Sequence, residues 1–169
     1  MAIQPVAEAG GFPLRRKDRK IEDREILRRI IEGAEVCRLA FAVGDLPYLV
    51  ALNFGYEWDG ELPILYFHCA REGRKLEMMR QNPHVCFALD IGHKLVAGSA
   101  PCDWGMNFES LVGYGTLSEI SGEAERRGAL DRIMRHYGWG GEGSYRGSTL
   151  GSTLVLKLVV DEVSGKKKG

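Results

Sequence analysis

No run of apolar residues in this sequence approaches the roughly 20 that a membrane span needs, so a membrane partner is not expected. No basic start followed by an apolar core opens the chain, so no secretory signal is expected either. Net charge is also missing: 23 Lys and Arg balance 23 Asp and Glu. With no bulk field, the chain as a whole does not recruit nucleic acid. The four cysteines, Cys37, Cys69, Cys86 and Cys102, contain no Cys-x-x-Cys pair. That excludes a zinc ribbon or dithiol motif on spacing and fits a reducing cytoplasm better than a disulfide framework. The sequence also lacks a Gly-x-Ser-x-Gly elbow, a Walker loop and a Gly-x-Gly-x-x-Gly fingerprint.

What is present is one domain's worth of chain, 169 residues at 44% hydrophobic and 27% charged. Residues 1–13 read as a loose arm, 14–166 as a single domain and 167–169 as the end of a solvated basic tail that begins at Gly165. Between Arg15 and Arg29 there are eight Lys or Arg and four Asp or Glu. No aromatic residues interleave them to stack on bases, so this stretch reads as a solvated helix lead-in.

The centre of the sequence is Tyr66-Phe67-His68-Cys69-Ala70-Arg71-Glu72-Gly73-Arg74-Lys75-Leu76. An apolar strand from Ile64 runs into a turn with one glycine, then into a helix over about Arg74 to Gln81. A helix N-terminus offers unpaired N–H groups and the positive end of a dipole. With Arg71, Arg74 and Lys75 beside it, the turn can seat a phosphate; the alternative is a solvated basic helix. His68, at the strand end, can titrate near neutral pH or simply be packed with both nitrogens satisfied.

The rest of the chain is mostly short strands. Asp23 is placed to cap a helix over about 23–33, with Ile26, Leu27, Ile30 and Ile31 on one face. Strands are expected at Cys37 to Val43, Tyr48 to Tyr56 and Ile64 to Cys69, in meander order, with turns at Gly44-Asp45-Leu46-Pro47 and Trp58-Asp59-Gly60-Glu61. A helix stop at Asn82-Pro83 precedes a central strand, His84 to Ile91. A short strand at Leu95 to Ala97 is optional. Asn107 to Ile120 reads as one long strand in which Gly113 and Gly115 signal a bulge or close backbone approach. Glu123 to Tyr137 carries the clearest helical period. Trp139 to Ser148 is glycine-rich, and Thr153 to Val160 is the last strand. The sum is mainly β with flanking helices, an antiparallel sheet of about six strands closing into a small barrel. His84-Val85-Cys86 puts two possible metal ligands on one strand without a third, so no metal is expected.

Several runs together are similar to one known family. Leu52-Asn53-Phe54-Gly55-Tyr56, the central stretch from Leu65 to Leu76, and Asn82-Pro83-His84-Val85-Cys86-Phe87 resemble the nitroimidazole-resistance branch of the pyridoxamine-phosphate-oxidase-like flavoproteins. So do Arg16-Lys17-Asp18-Arg19 and Phe108 to Gly115, in the same order over about residues 14–166. The resemblance implies a flavin split barrel of six to seven strands that forms a homodimer, with FMN at the interface. It puts Arg74 and Lys75 on the FMN phosphate, and the backbone of Val50, Ala51, Leu52 and Asn53 along the ring. It places His68, Cys69 and Ala70 beside the ring and turns Ser110 towards the cofactor or the partner chain. His68 is then the candidate catalytic proton donor to a small-molecule acceptor such as a nitro-heteroaromatic. Haem with His68 as axial ligand, and a flavin carrier without catalysis, are the alternatives. Pyridoxamine-phosphate oxidases themselves end in an arginine-bearing motif for substrate phosphate. This chain instead ends Ser164-Gly165-Lys166-Lys167-Lys168-Gly169, and Cys69 stands where many relatives carry serine.

Overall fold

Alternating apolar residues build one antiparallel sheet in the structure, a computed structural model that describes residues 15–141, 145 and 147–169. Its strands are β1 (Lys20–Ile21), β2 (Cys37–Val43), β3 (Leu46–Leu52), β4 (Gly55–Asp59), β5 (Leu62–Ala70), β6 (His84–Val96), β7 (Gly105–Glu119) and β8 (Thr153–Lys168). The helices are α1 (Arg24–Gly33), α2 (Arg74–Gln81), α3 (Glu123–His136) and α4 (Gly147–Ser152). The expected arm over 1–13 lies outside the described residues.

The sheet order is β3-β2-β6-β7-β8-β5-β4, with the short β1 paired to β8. The main path thus has seven strands, as expected. Inner-face residues from β2 (Leu39, Phe41) and from β5 (Leu65, Phe67) share one core cluster, so the sheet is rolled. Its end strands β3 and β4 do not pair, and the barrel stays open between them. A second cluster lies outside the barrel, where Ile64 and Tyr66 of β5 and Val155 of β8 meet Ala129, Leu130 and Ile133 of α3. Strand β5 is apolar on both faces because it serves both clusters.

Four expectations are corrected. The run from Tyr48 to Tyr56 is two strands, because the chain leaves the sheet at Asn53-Phe54. The meander order therefore fails: β5 pairs with β4 and β8, and β3 lies at the far end of the sheet. Phe54 is fully buried, its N–H donates to the Tyr137 hydroxyl at 3.1 Å, and its ring lies 4.5 Å from His136. Those tertiary contacts override the strand pattern. The supposed tail is also strand: Gly165 pairs with Leu111 and Ile21, and Lys166 to Lys168 pair along β7. A Cβ on Gly165 would stand 2.6 Å from Leu27 Cδ2, so that glycine lets α1 lie close over the sheet. Finally, Leu95 and Val96 belong to β6, which continues past an irregularity between Ile91 and Lys94.

Local signals hold elsewhere. Asp23 caps α1 by accepting from the Glu25 N–H at 2.9 Å, an interaction worth about 1 kcal/mol. Gly44 and Gly60 turn the hairpins at φ 57° and 64°. A bulge leaves Asp161 unpaired, where Tyr114 faces Glu162 and Gly115 faces Val160. A Cβ on Gly113 would lie 2.5 Å from the Phe87 ring, the close approach expected there.

Helix α3 presses on β4 at Gly55, where an added Cβ would fall 2.3 Å from the Ile133 nitrogen. Backbone cannot yield as a side chain can, so Gly55→Ala is expected to cost about 1–3 kcal/mol in urea unfolding. Gly128→Ala, on the same helix, meets only the flexible end of Arg132 at 3.1 Å. It is expected to stabilise by about 0.5–1 kcal/mol through helix propensity.

Candidate functional site

Strand β5 ends at Ala70, and α2 begins four residues later at Arg74. Gly73 makes this turn at φ 131°, where L-residues are strained, and as N-cap it brings no side-chain hydrogen bond. The first N–H groups bonded back to the Gly73 carbonyl are those of Leu76 at 3.0 Å and Glu77 at 3.3 Å. The Arg74 and Lys75 N–H groups precede any intrahelical acceptor, and the dipole of the eight-residue helix points its positive end at them.

The cations of this turn divide into two kinds. Arg71 donates to the Gly151 carbonyl at 2.6 Å and so ties the turn to α4. Arg74 has no ion pair among the described residues; its guanidinium lies 5.5 Å from the Tyr48 ring centroid. Lys75 is likewise free of ion pairs among the described residues and acts on Cys69, whose thiol burial pushes up and Lys75 pulls back. By contrast Arg29, Arg38, Arg80 and Arg132 are each paired with a carboxylate. Two cations without ion pairs at an uncapped helix start could serve as an anion cradle.

The Arg74–Tyr48 contact brings β3 to this cradle. Val50, Leu52 and Cys69 pack half-buried on the barrel core, Ala51 faces outward, and Asn53 is exposed just past the strand end. Because β3 pairs only with β2 among the described residues, alternate residues along it point N–H and C=O away from the sheet. Of the expected site residues outside β3, Arg74 reaches that strand through its contact with Tyr48.

Two predicted residues are not brought there by their side chains. Strand alternation turns the His68 imidazole to the face of β5 opposite Cys69, towards α3. It opens on a cavity of about 170 Å³ with Leu130, Ile133, Met134, Tyr145, Leu150 and Thr153. Ser110 sits on β7, where its hydroxyl donates to the Lys166 carbonyl at 3.4 Å. That is three strand spacings from β3, about 14 Å. Among the described residues no three His, Cys, Asp or Glu converge to hold a metal, and His84 and Cys86 line a shallow surface cavity of about 500 Å³ with Ala40 and Tyr114.

Tyr48 and the walls of the His68 cavity are what sequence reasoning missed. Both depend on contacts between residues far apart in the chain, and neither leaves a local signal. Tyr145, in the cavity wall, donates to Asp131 at 2.8 Å. Burial and that bond push its phenol up to about 12. A phenol raised in the folded state favours folding below its ordinary range near 10 and loses that advantage as pH climbs to about 12. Tyr145→Phe is expected to flatten the fall in stability between about pH 10 and 12, measured by urea unfolding across that window.

The sequence profile of the pyridoxamine 5'-phosphate oxidase family matches residues 23–167. A Bacteroides thetaiotaomicron VPI-5482 protein, whose proposed role is 5-nitroimidazole antibiotic resistance, is 38% identical. The match covers 88% of this chain and 86% of that one, with a TM-score of 0.76. The flavocytochrome Anf3 of Azotobacter vinelandii has the same fold at TM-score 0.77 and 20% identity, over 93% of this chain and 72% of that one. An FAD and haem binding protein of Mycobacterium smegmatis does so at TM-score 0.77 and 19% identity, over 89% and 74%. No curated protein sequence matches.

Proposed function

The chain belongs to the pyridoxamine 5'-phosphate oxidase family, and from that premise we propose that it is an FMN-binding oxidoreductase acting on a small acceptor such as a nitro-heteroaromatic. The observation that carries this reading is the uncapped start of α2, with Arg74 and Lys75 unpaired beside the open edge of β3. The residues present fit FMN. Arg74 and Lys75 would hold the phosphate, with the Arg74 and Lys75 N–H groups at the helix start. The backbone of Val50 to Asn53 would bond the ring's polar edge, while Val50 and Leu52 give apolar surface. The backbone at His68, Cys69 and Ala70 would close the other side. Bound there, FMN would supply the electron transfer, and the protein's part is to orient it and keep water out. The His68 imidazole lies on the α3 face of β5, opposite that ring, so within one chain it is not assigned the proton transfer.

The identity of 38% to a protein of proposed nitroimidazole resistance supports the acceptor class. Haem on His68 is not favoured: the cavity there is about 170 Å³, against the roughly 300 Å³ at which drug-sized pockets begin.

An absorption spectrum of the purified protein tests the cofactor. Flavin bands near about 375 and 450 nm are expected, whereas a Soret band near about 400 nm alone would replace FMN with haem. Reduction of the flavin by NADH or NADPH separates an enzyme from a carrier. Arg74→Ala removes a charge-assisted contact worth about 1.5–3 kcal/mol, so FMN should bind about 10- to 100-fold more weakly by fluorescence titration. Unchanged affinity would remove Arg74 from the seat.

Ser110 lies too far from β3 to serve the cradle within one chain, which supports a homodimer with the cofactor at its interface. On its face of the sheet Ala88 and Ser164 stand beside Val112, which is 37% exposed, with the Arg38–Asp90 ion pair and Tyr114 around them. A two-fold contact there would be self-complementary. Val112→Arg is expected to yield a folded monomer that no longer retains FMN on gel filtration. A monomeric wild type that keeps FMN would overturn the dimer.

A further inference from the structure

We infer that Tyr48 is a positioning residue of the anion cradle, whose ring holds the Arg74 guanidinium in place without consuming its N–H donors. The ring is itself fixed. Tyr48 pairs with Phe41 across the β2–β3 hairpin, and the two rings stand 6.1 Å apart, tilted by 39°. Phe41 is buried, and Tyr48 packs half-buried on the same core cluster. Just past its other end, α2 is tied to that hairpin, where Asn82 donates to the Ala42 carbonyl at 3.0 Å. The Arg74 guanidinium lies 5.5 Å from the Tyr48 ring centroid, inside the roughly 6 Å over which a ring face attracts a cation.

The partners that Arg74 lacks give this contact its meaning. Glu77 stands three residues along the helix, yet no ion pair joins the two among the described residues. Arg71 and Arg80, nearby in sequence, commit donors to the Gly151 carbonyl and to Glu119. A carboxylate would accept from the same N–H groups that a phosphate needs, whereas a ring attracts the cation through its π-face and leaves those donors available. An unrestrained arginine also loses side-chain freedom when it closes on a ligand, and a ring that holds it beforehand removes part of that cost. The Tyr48 hydroxyl has no hydrogen bond among the described residues, so the ring and not the hydroxyl carries the contact.

That the anion is the phosphate of FMN rests on the proposed function; that Tyr48 orders Arg74 does not.

Fluorescence titration of the full-length protein with FMN and with riboflavin, which lacks the phosphate, tests the role. Tyr48→Leu keeps an apolar side chain on the core and removes the ring. It is expected to weaken FMN binding about fivefold and to leave riboflavin within about twofold. In an Arg74→Ala background it should add nothing, since the two residues act as one unit. Tyr48→Phe keeps the ring and should bind FMN as the wild type does. Equal losses for FMN and riboflavin, losses that add to that of Arg74→Ala, or weakened FMN binding in Tyr48→Phe overturns the assignment. The Arg74 side-chain N–H resonance, followed in flavin-free protein as inorganic phosphate is added, reads the contact by itself. It should move on Tyr48→Leu and stay in place on Tyr48→Phe. A protein that binds neither flavin, while phosphate shifts that resonance in a Tyr48-dependent way, overturns the flavin reading and leaves the role of Tyr48 standing. A resonance indifferent to Tyr48→Leu overturns the role even where FMN binds.

Discussion

Phe54, in the link that joins β3 to β4, is buried against the end of helix α3, and three segments of chain meet there. Its N–H donates to the Tyr137 hydroxyl, which itself donates to the Glu35 carbonyl at 2.6 Å. His136 Nε2 lies 2.7 Å from the Ala34 carbonyl, and a carbonyl can only accept, so that nitrogen carries the proton. The knot therefore joins the end of α3, the α1–β2 link and the β3–β4 link. Because it draws residues 53 and 54 out of the sheet, β3 and β4 go to opposite ends of a rolled sheet. Everything proposed for the site depends on that separation. A continuous strand there would have used the β3 edge for pairing, and no backbone groups would be left for a flavin ring.

The parity of β5 is the second constraint. Side chains alternate along a strand, so Phe67 and Cys69 go to the barrel while Tyr66 and His68 go to α3. Residues adjacent in sequence are thereby assigned to different chemistry. The cradle takes the cationic end of α2 and half-buried Cys69; the outer face takes a free imidazole above apolar side chains.

What the sequence disclosed was whatever depends on near neighbours. The Asp23 cap, the turns at Gly44 and Gly60, the strand that runs into α2 and the amphipathic α3 each rest on contacts within a few residues. The membership of the fold was legible for a different reason, since the ordered motifs resemble a family. What stayed hidden needs the folded chain. The break at Asn53 depends on Tyr137 and His136, more than eighty residues away. The run Gly165 to Lys168 has the composition of a tail, yet Gly165 is wanted for its small size under Leu27 and the lysines pair through backbone alone. Arg71 looked equivalent to Arg74 and Lys75 until the Gly151 carbonyl claimed it.

An open barrel carries a liability that the sequence has to manage. Exposed strand edges recruit other strands, and β3 also bears Leu46 and Leu49, 59% and 62% exposed. Charge does little to guard it, since Asp45 in the turn is the one charged residue from Gly44 to Asn53. On the proposed reading the edge is occupied instead of guarded: a flat ring takes its backbone groups, and a second chain covers what remains. The same economy accounts for the shortage of polar side chains at the site. Backbone N–H and C=O need no particular residue, so Val50, Ala51 and Leu52 can be chosen for packing, and cationic specificity need come only from Arg74 and Lys75. It follows that loss of the cofactor would expose an apolar strand edge as well as empty a site, coupling cofactor retention to solubility through the same few backbone groups.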